Sequence, residues 1–107
     1  MYLFLTSGTS ATVSMLAETL VDEGLVACAH LFPAGESIYR WECVQHREPE
    51  QTLLLKVAES QAERLRARLT ELHPYALPEL VALSVNTGAS SPAYLDWVAL
   101  SASKMDL

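Results

Sequence analysis

Positive charge is scarce in this chain. Seven Lys and Arg residues stand against thirteen Asp and Glu, for a formal net charge of −6. Proteins that grip a phosphate backbone gather Lys and Arg on one face, so this balance argues against a nucleic-acid partner. The one basic cluster, Arg64, Arg66 and Arg68, is interrupted by Leu65 and Ala67 and flanked by Glu63 and Glu71. That is the pattern of the solvated side of a helix. Cysteine is sparse too. Cys28 and Cys43 make neither a disulfide scaffold nor a CxxC pair, and both are expected as reduced thiols. No stretch approaches the ~20 apolar residues that span a bilayer. The opening MYLFLTSGTSA lacks the basic and long apolar regions of a signal peptide. A cytoplasmic protein with no membrane partner is the resulting expectation. Nucleophile elbow, P-loop, GxGxxG and paired zinc-ligand spacings are all missing as well.

What remains is apolar and strongly patterned. Half of the 107 residues are hydrophobic and 19% are charged, the composition of one globular domain, residues 1–107, around one core. Residues 2–5 predict a strand, which "TSGTS" breaks. Val13, Leu16, Ala17, Leu20 and Val21 then recur at helical spacing, with Thr9 or Ser10 to cap the helix and Gly24 suited to its C′ position. "LVACAHLF" (25–32) is apolar on both phases. "SIYRWEC" (37–43) alternates, with Tyr39 and Trp41 on one side. "VQHREPEQ" reads as the polar tip of a hairpin, and "TLLLKV" (52–57) as the returning strand. Ser60 and Glu63 have the spacing of a capping box for a second helix that Pro74 stops. "LVALSV" (80–85) is the last core strand. Ser91 and Pro92 suit the N-cap and first position of a third helix holding Tyr94, Leu95, Trp97 and Val98.

This order, β-α-β-β-α-β with a C-terminal helix, is the α+β, ferredoxin-like arrangement. Its two helices cover one face of an antiparallel sheet, so the other face should be polar. Instead, residues 25–32, 53–55 and 80–83 are apolar on both phases, and a partner subunit is the simplest cover. Trp41, in the aromatic phase of the hairpin, is expected in that assembly.

Among the three histidines, His46 falls in the polar hairpin and His30 ends an apolar run. His73 is the informative one. It closes a helix, and Pro74 and Pro78 make "HPYALP" a rigid bend. Glu79 leaves that bend for a core strand, where a carboxylate needs a partner, with Lys56, Arg40 and His73 as the candidates. The bend is thus expected to present His73 at a cleft mouth beside a Glu79 paired with a basic group across the sheet or from a neighbouring subunit.

Taken together, "LVDEGLVACAH", "SIYRWEC", "HPYALPEL" and "AYLDWV" resemble the divalent-cation tolerance family, CutA, over residues 3 to 98 or so. The resemblance implies a trimer similar to PII signalling proteins, with an intersubunit cleft. By motif, Cys28, Tyr39, Trp41, Lys56, His73, Tyr75, Pro78, Glu79, Tyr94 and Trp97 would line or support that cleft. It also implies a link to copper and other divalent metals, for which His73 is the candidate ligand, with no cofactor required. The departures are His30, Cys43, where the family has glycine, and Ala76. Leu5 and Leu72 stand where some members carry a cysteine and a histidine, so a copper site built on that pair cannot form. The function implied is a homotrimeric metal- or small-ligand-binding regulatory protein without catalysis. A PII-like effector module would use Lys56 and Arg40 as anion donors. An acylphosphatase-like enzyme would need a cationic loop after the first strand, and "TSGTSATV" contains neither Arg nor Lys.

Overall fold

The computed structural model describes residues 1–101. Its elements are β1 (Tyr2–Gly8), α1 (Ser10–Asp22), β2 (Cys28–Leu31), β3 (Gly35–Trp41), β4 (Val44–Val57), α2 (Ala62–Leu72), β5 (Val81–Ser84) and α3 (Pro92–Leu100). The sheet runs β2-β4-β1-β5, and β3 pairs with the first half of β4. The ferredoxin-like, α+β expectation therefore holds, C-terminal helix included.

Local chemistry accounts for most element ends. Thr9 caps α1 by accepting from the Thr12 amide. Gly24, just beyond α1, has φ 73°, the left-handed conformation that ends a helix at no cost only in glycine. Ser91 accepts from the Tyr94 amide at the start of α3, with Pro92 in its first turn. The expected Ser60–Glu63 capping box does not form. A 3₁₀ turn at Glu59–Gln61 leads into α2, whose N-cap is Gln61 and lacks a side-chain bond.

Three boundaries differ from expectation because the ladder overrides local composition. β1 continues through Thr6 and Ser7 to Gly8, which pair with Leu53, Thr52 and Gln51. Leu25 belongs to the close of α1, its amide bonding the Leu20 carbonyl, so β2 starts only at Cys28. The polar stretch 44–51 is not a hairpin tip but the start of a 14-residue β4. The turn itself is Glu42-Cys43, with φ 50° and 66°. Two consecutive positive φ values are the geometry that suits a two-residue hairpin and favours Asn-Gly or Gly-Gly. A non-glycine residue held there costs about 1 kcal/mol. Cys43→Gly is accordingly expected to stabilise the protein by about 1 kcal/mol. A thermal melt at matched concentration checks this, and an unchanged or lower midpoint would refute it.

Register decides which face each side chain takes. Phe4 stands opposite Leu55 and Ala82, and Thr6 opposite Leu53. This face packs on Val13, Leu16 and Leu20 of α1 and Leu65 and Leu69 of α2 to form the core. Truncating any of those leucines to alanine would cost about 2–5 kcal/mol. Arg68, on α2, clasps Glu23 with bonds of 2.9 and 2.6 Å and ties the two helices together; it is docked, whereas Arg64 and Arg66 are solvated. The opposite face carries Leu5 beside Leu54 and Val81, and Leu3 beside Lys56 and Leu83. Neither α1 nor α2 lies over it, and Val81 and Leu83 are 45% and 47% exposed. Among the described residues, no helix is long and apolar enough to cross a membrane.

A candidate ligand cleft at the helix-to-strand corner

The corner between α2 and β5 is held from inside. His73 is the C-cap of α2, in extended conformation as a residue before proline prefers. Its side chain turns inward and is only 6% exposed. Nδ1 accepts the Tyr75 amide at 3.2 Å, so the ring proton sits on Nε2, which donates to the Ser7 carbonyl at 2.7 Å. One imidazole thus ties the corner to the end of β1. The Ser7 hydroxyl also reaches the corner, donating to Glu79 Oε1 at 3.3 Å.

Facing the corner is the β3–β4 arm. With the turn at Glu42-Cys43, Trp41 pairs with Val44, Tyr39 with His46, Ser37 with Glu48 and Gly35 with Glu50. Antiparallel partners point to the same side, so aromatics and carboxylates share one face. The Tyr39 ring stacks on His46 at 5.3 Å, and the Ser37 hydroxyl donates to Glu50. Between arm and corner opens a cleft of about 640 Å³, walled by Tyr39, Trp41 and Tyr75 and edged by Glu48, Glu50 and Glu79. A second hollow of about 350 Å³ shares Glu48, Glu50 and Tyr75 and runs on to Gly8 and Thr9.

The electrostatics of the cleft are negative. Desolvation first, then hydrogen bonding to Glu48 and the charges of Glu48 and Glu50, hold the Tyr39 phenol above its usual range. Tyr75 is raised in the same way, by desolvation and then by Glu50 and Glu48. Both phenols stay protonated at neutral pH and can offer only hydroxyl groups and ring faces.

The residues singled out from the sequence fall into two groups. Tyr39, Trp41, Tyr75 and Glu79 line the cleft, His73 braces it from behind, and Pro78 lies half-buried in the corner. Cys28, Lys56, Tyr94 and Trp97 are elsewhere. Cys28 pairs with Lys56 across β2 and β4, Lys56 Nζ donates to the Tyr94 hydroxyl at 2.9 Å, and Tyr94 packs on Trp97 at 5.6 Å. The bond to Tyr94 is the main reason the Lys56 ammonium titrates above its usual range.

Two expectations about the corner are corrected. His73 is not at a cleft mouth, because burying it satisfies two backbone groups at once. Within the protomer, Glu79 is not a buried half of an ion pair. It is solvent-exposed and meets a serine hydroxyl; Lys56 is taken up by Tyr94, and Arg40 stands opposite Gln45 in the alternate phase of the arm. Glu48 and Glu50 are hidden by the hairpin-tip composition of 44–51, and Ser7 by the loop-like composition of "TSGTS". The signal was the alternation of 37–41, which continues through the turn into 44–50. Among the described residues, no group of three or more His, Cys, Asp and Glu side chains is placed to hold a metal ion.

A family model described as CutA1 divalent ion tolerance protein matches residues 1–101. The divalent-cation tolerance protein CutA of Thermus thermophilus is 40% identical over 83 residues, covering 78% of this chain and 79% of that protein. The chloroplastic protein CutA of Arabidopsis thaliana is 36% identical over 83 residues, 78% of this chain and 44% of that longer one. Among solved structures, the PII-like protein CutA from Nostoc sp. PCC 7120 in apo form superimposes with a TM-score of 0.91 at 39% identity, covering 95% of this chain and 97% of the other.

Proposed function

This chain belongs to the CutA divalent-cation tolerance family, and we propose that it acts as a homotrimeric, cytoplasmic, non-catalytic binding protein whose ligand site is the cleft between the β3–β4 arm and the α2–β5 corner. The observation that carries this reading is the cleft itself, about 640 Å³ with three aromatic walls, a size and lining typical of small-molecule sites. Assembly is supported by the uncovered sheet face and by Trp41 and Trp97, 54% and 46% exposed in a lone protomer, since contiguous apolar surface of this kind marks an interface. A trimer would also give the second group of residues, around Lys56 and Tyr94, a cleft on a neighbouring copy to complete. The number three is the family's.

The same geometry supports the non-catalytic reading. His73 is the natural general base, yet both of its nitrogens are spent on the backbone. The same engagement means that the residues present do not fit a tightly held copper ion. One committed imidazole and scattered carboxylates fall short of the converging ligands such a site needs. Metal tolerance would then be an indirect result of what the cleft senses. An anionic effector fits poorly, because Lys56 and Arg40, its expected donors, both lie outside the cleft.

Light scattering coupled to size exclusion is expected to give three times the chain mass, and titration with Cu²⁺ to give no high-affinity isotherm. A monomer at micromolar concentration, or nanomolar copper binding abolished by His73→Ala, would overturn the proposal.

A further inference from the structure

We infer that Lys56 of one protomer, steadied by Tyr94, pairs with the Glu79 carboxylate of the next, so that the cleft edge is a joint between copies. This rests on the assembly proposed above and names the residue that the neighbouring copy brings. Three observations lead to it.

The first is which carboxylate of the cleft has capacity to spare. Glu48 takes a hydrogen bond with Tyr39, and Glu50 takes the Ser37 hydroxyl, both within the arm. Glu79 accepts one long bond, from the Ser7 hydroxyl to Oε1 at 3.3 Å. Among the described residues it joins no ion pair. An ionised carboxylate has about four acceptor positions, so most of the capacity of Glu79 is open.

The second is a base with the opposite surplus. Lys56 Nζ donates to the Tyr94 hydroxyl at 2.9 Å and lies 5.2 Å from the centre of that ring. An ammonium carries three protons, and among the described residues Lys56 joins no ion pair. Tyr94 fixes its direction without neutralising it. Tyr94 and Trp97, packed together at 5.6 Å, are 39% and 46% exposed. The result is an aromatic patch with one positive charge, on the same chain as an aromatic cleft edged by negative charge.

The third is that register keeps the two apart within a protomer. Leu3, Leu5 and Ser7 share one side of β1, the side that neither α1 nor α2 covers, and Lys56 stands opposite Leu3. Glu79 is tied to Ser7, four residues further along, or roughly 13 Å at the rise of a strand. Lys56, drawn to Tyr94, does not span that gap. The two patches complement each other only between copies. A contact between unlike patches is heterologous, and such contacts close into rings when the rotation permits, as a trimer requires. Covering Glu79 by a neighbour without a cation would strand a charge; the same neighbour supplies one. Lys56 engaged in this way is no donor for an anionic effector, and a lone protomer holds only part of the ligand site.

Light scattering over a dilution series tests the joint by charge reversal. Lys56→Glu and Glu79→Lys, made singly, are each expected to raise the concentration at which the trimer dissociates at least about 30-fold. Both reversals on one chain should restore assembly to within about tenfold of the native protein, because every joint again sets opposite charges together. Circular dichroism checks that each variant folds. Where a reversal does not fold, Lys56→Met and Glu79→Gln complete the same cycle. Each should weaken assembly, and the two together by less than their separate effects combined. Single substitutions that leave a native-like trimer, a double reversal as dissociated as the singles, or additive effects in the neutral cycle would overturn the joint and leave the trimer standing. A native chain that is itself monomeric would remove the trimer, and the joint with it.

Discussion

His73→Ala is expected to lower the unfolding free energy by about 3 kcal/mol, with loss of order at the α2–β5 corner. The imidazole is buried and bridges two backbone groups distant in sequence, the Ser7 carbonyl and the Tyr75 amide. Removing it leaves both without their partner, and each buried polar group so abandoned costs about 1–3 kcal/mol. The vacated volume adds a cavity term. Gly8 packs near the same ring, since a Cβ placed on it would lie 3.6 Å from His73 Nε2, so the end of β1 should loosen as well. Urea unfolding at fixed protomer concentration measures the loss, and hydrogen exchange at the amides of residues 7 and 75 locates it. A variant with unchanged stability would show that the bridge carries no net energy and would reopen His73 as a ligand.

Trp41→Ala is expected to act in the opposite way, on assembly and not on the protomer. The indole is 54% exposed in a single chain, on the arm and away from the core, so its loss removes little intramolecular packing. Large exposed aromatics at an interface are the residues whose truncation costs 2 kcal/mol or more. At about 2 kcal/mol per contact, dissociation should rise roughly 30-fold. Light scattering over a dilution series should reveal smaller species for the variant at concentrations where the native chain stays assembled. An identical profile would make Trp41 a cleft wall with no part in association.

The two positions show where residue patterns inform and where they mislead. Both positions stand out in the sequence, Trp41 by its phase in an alternating strand and His73 by its prolines. For Trp41 the phase was sufficient to place the side chain on the Tyr39 face of the arm, because a strand's two-residue period sets the face whatever the strand pairs with. For His73 the prolines were not. They constrain the backbone at residues 72–78 but leave χ1 of the histidine free, and the partners that capture the ring include a carbonyl 66 residues away.

What the sequence determined alone is the order of the elements, their amphipathic faces and the caps at Gly24 and Ser91, with the cap of α1 narrowed to Thr9 or Ser10. Each rests on contacts within a few residues, where periodicity and side-chain-to-backbone bonding are local. Tertiary structure decided the rest. The arm turns at Glu42-Cys43 although neither residue favours positive φ, because the ladder of β3 on β4 holds them there. That ladder converts a polar stretch into strand and carries Glu48 and Glu50 to the Tyr39 side. Glu79 meets Ser7 across 72 residues. A cleft assembled from β1, the β3–β4 arm and the α2–β5 corner exists only once long-range pairing has set the register, and no local pattern records a distance between segments so far apart along the chain.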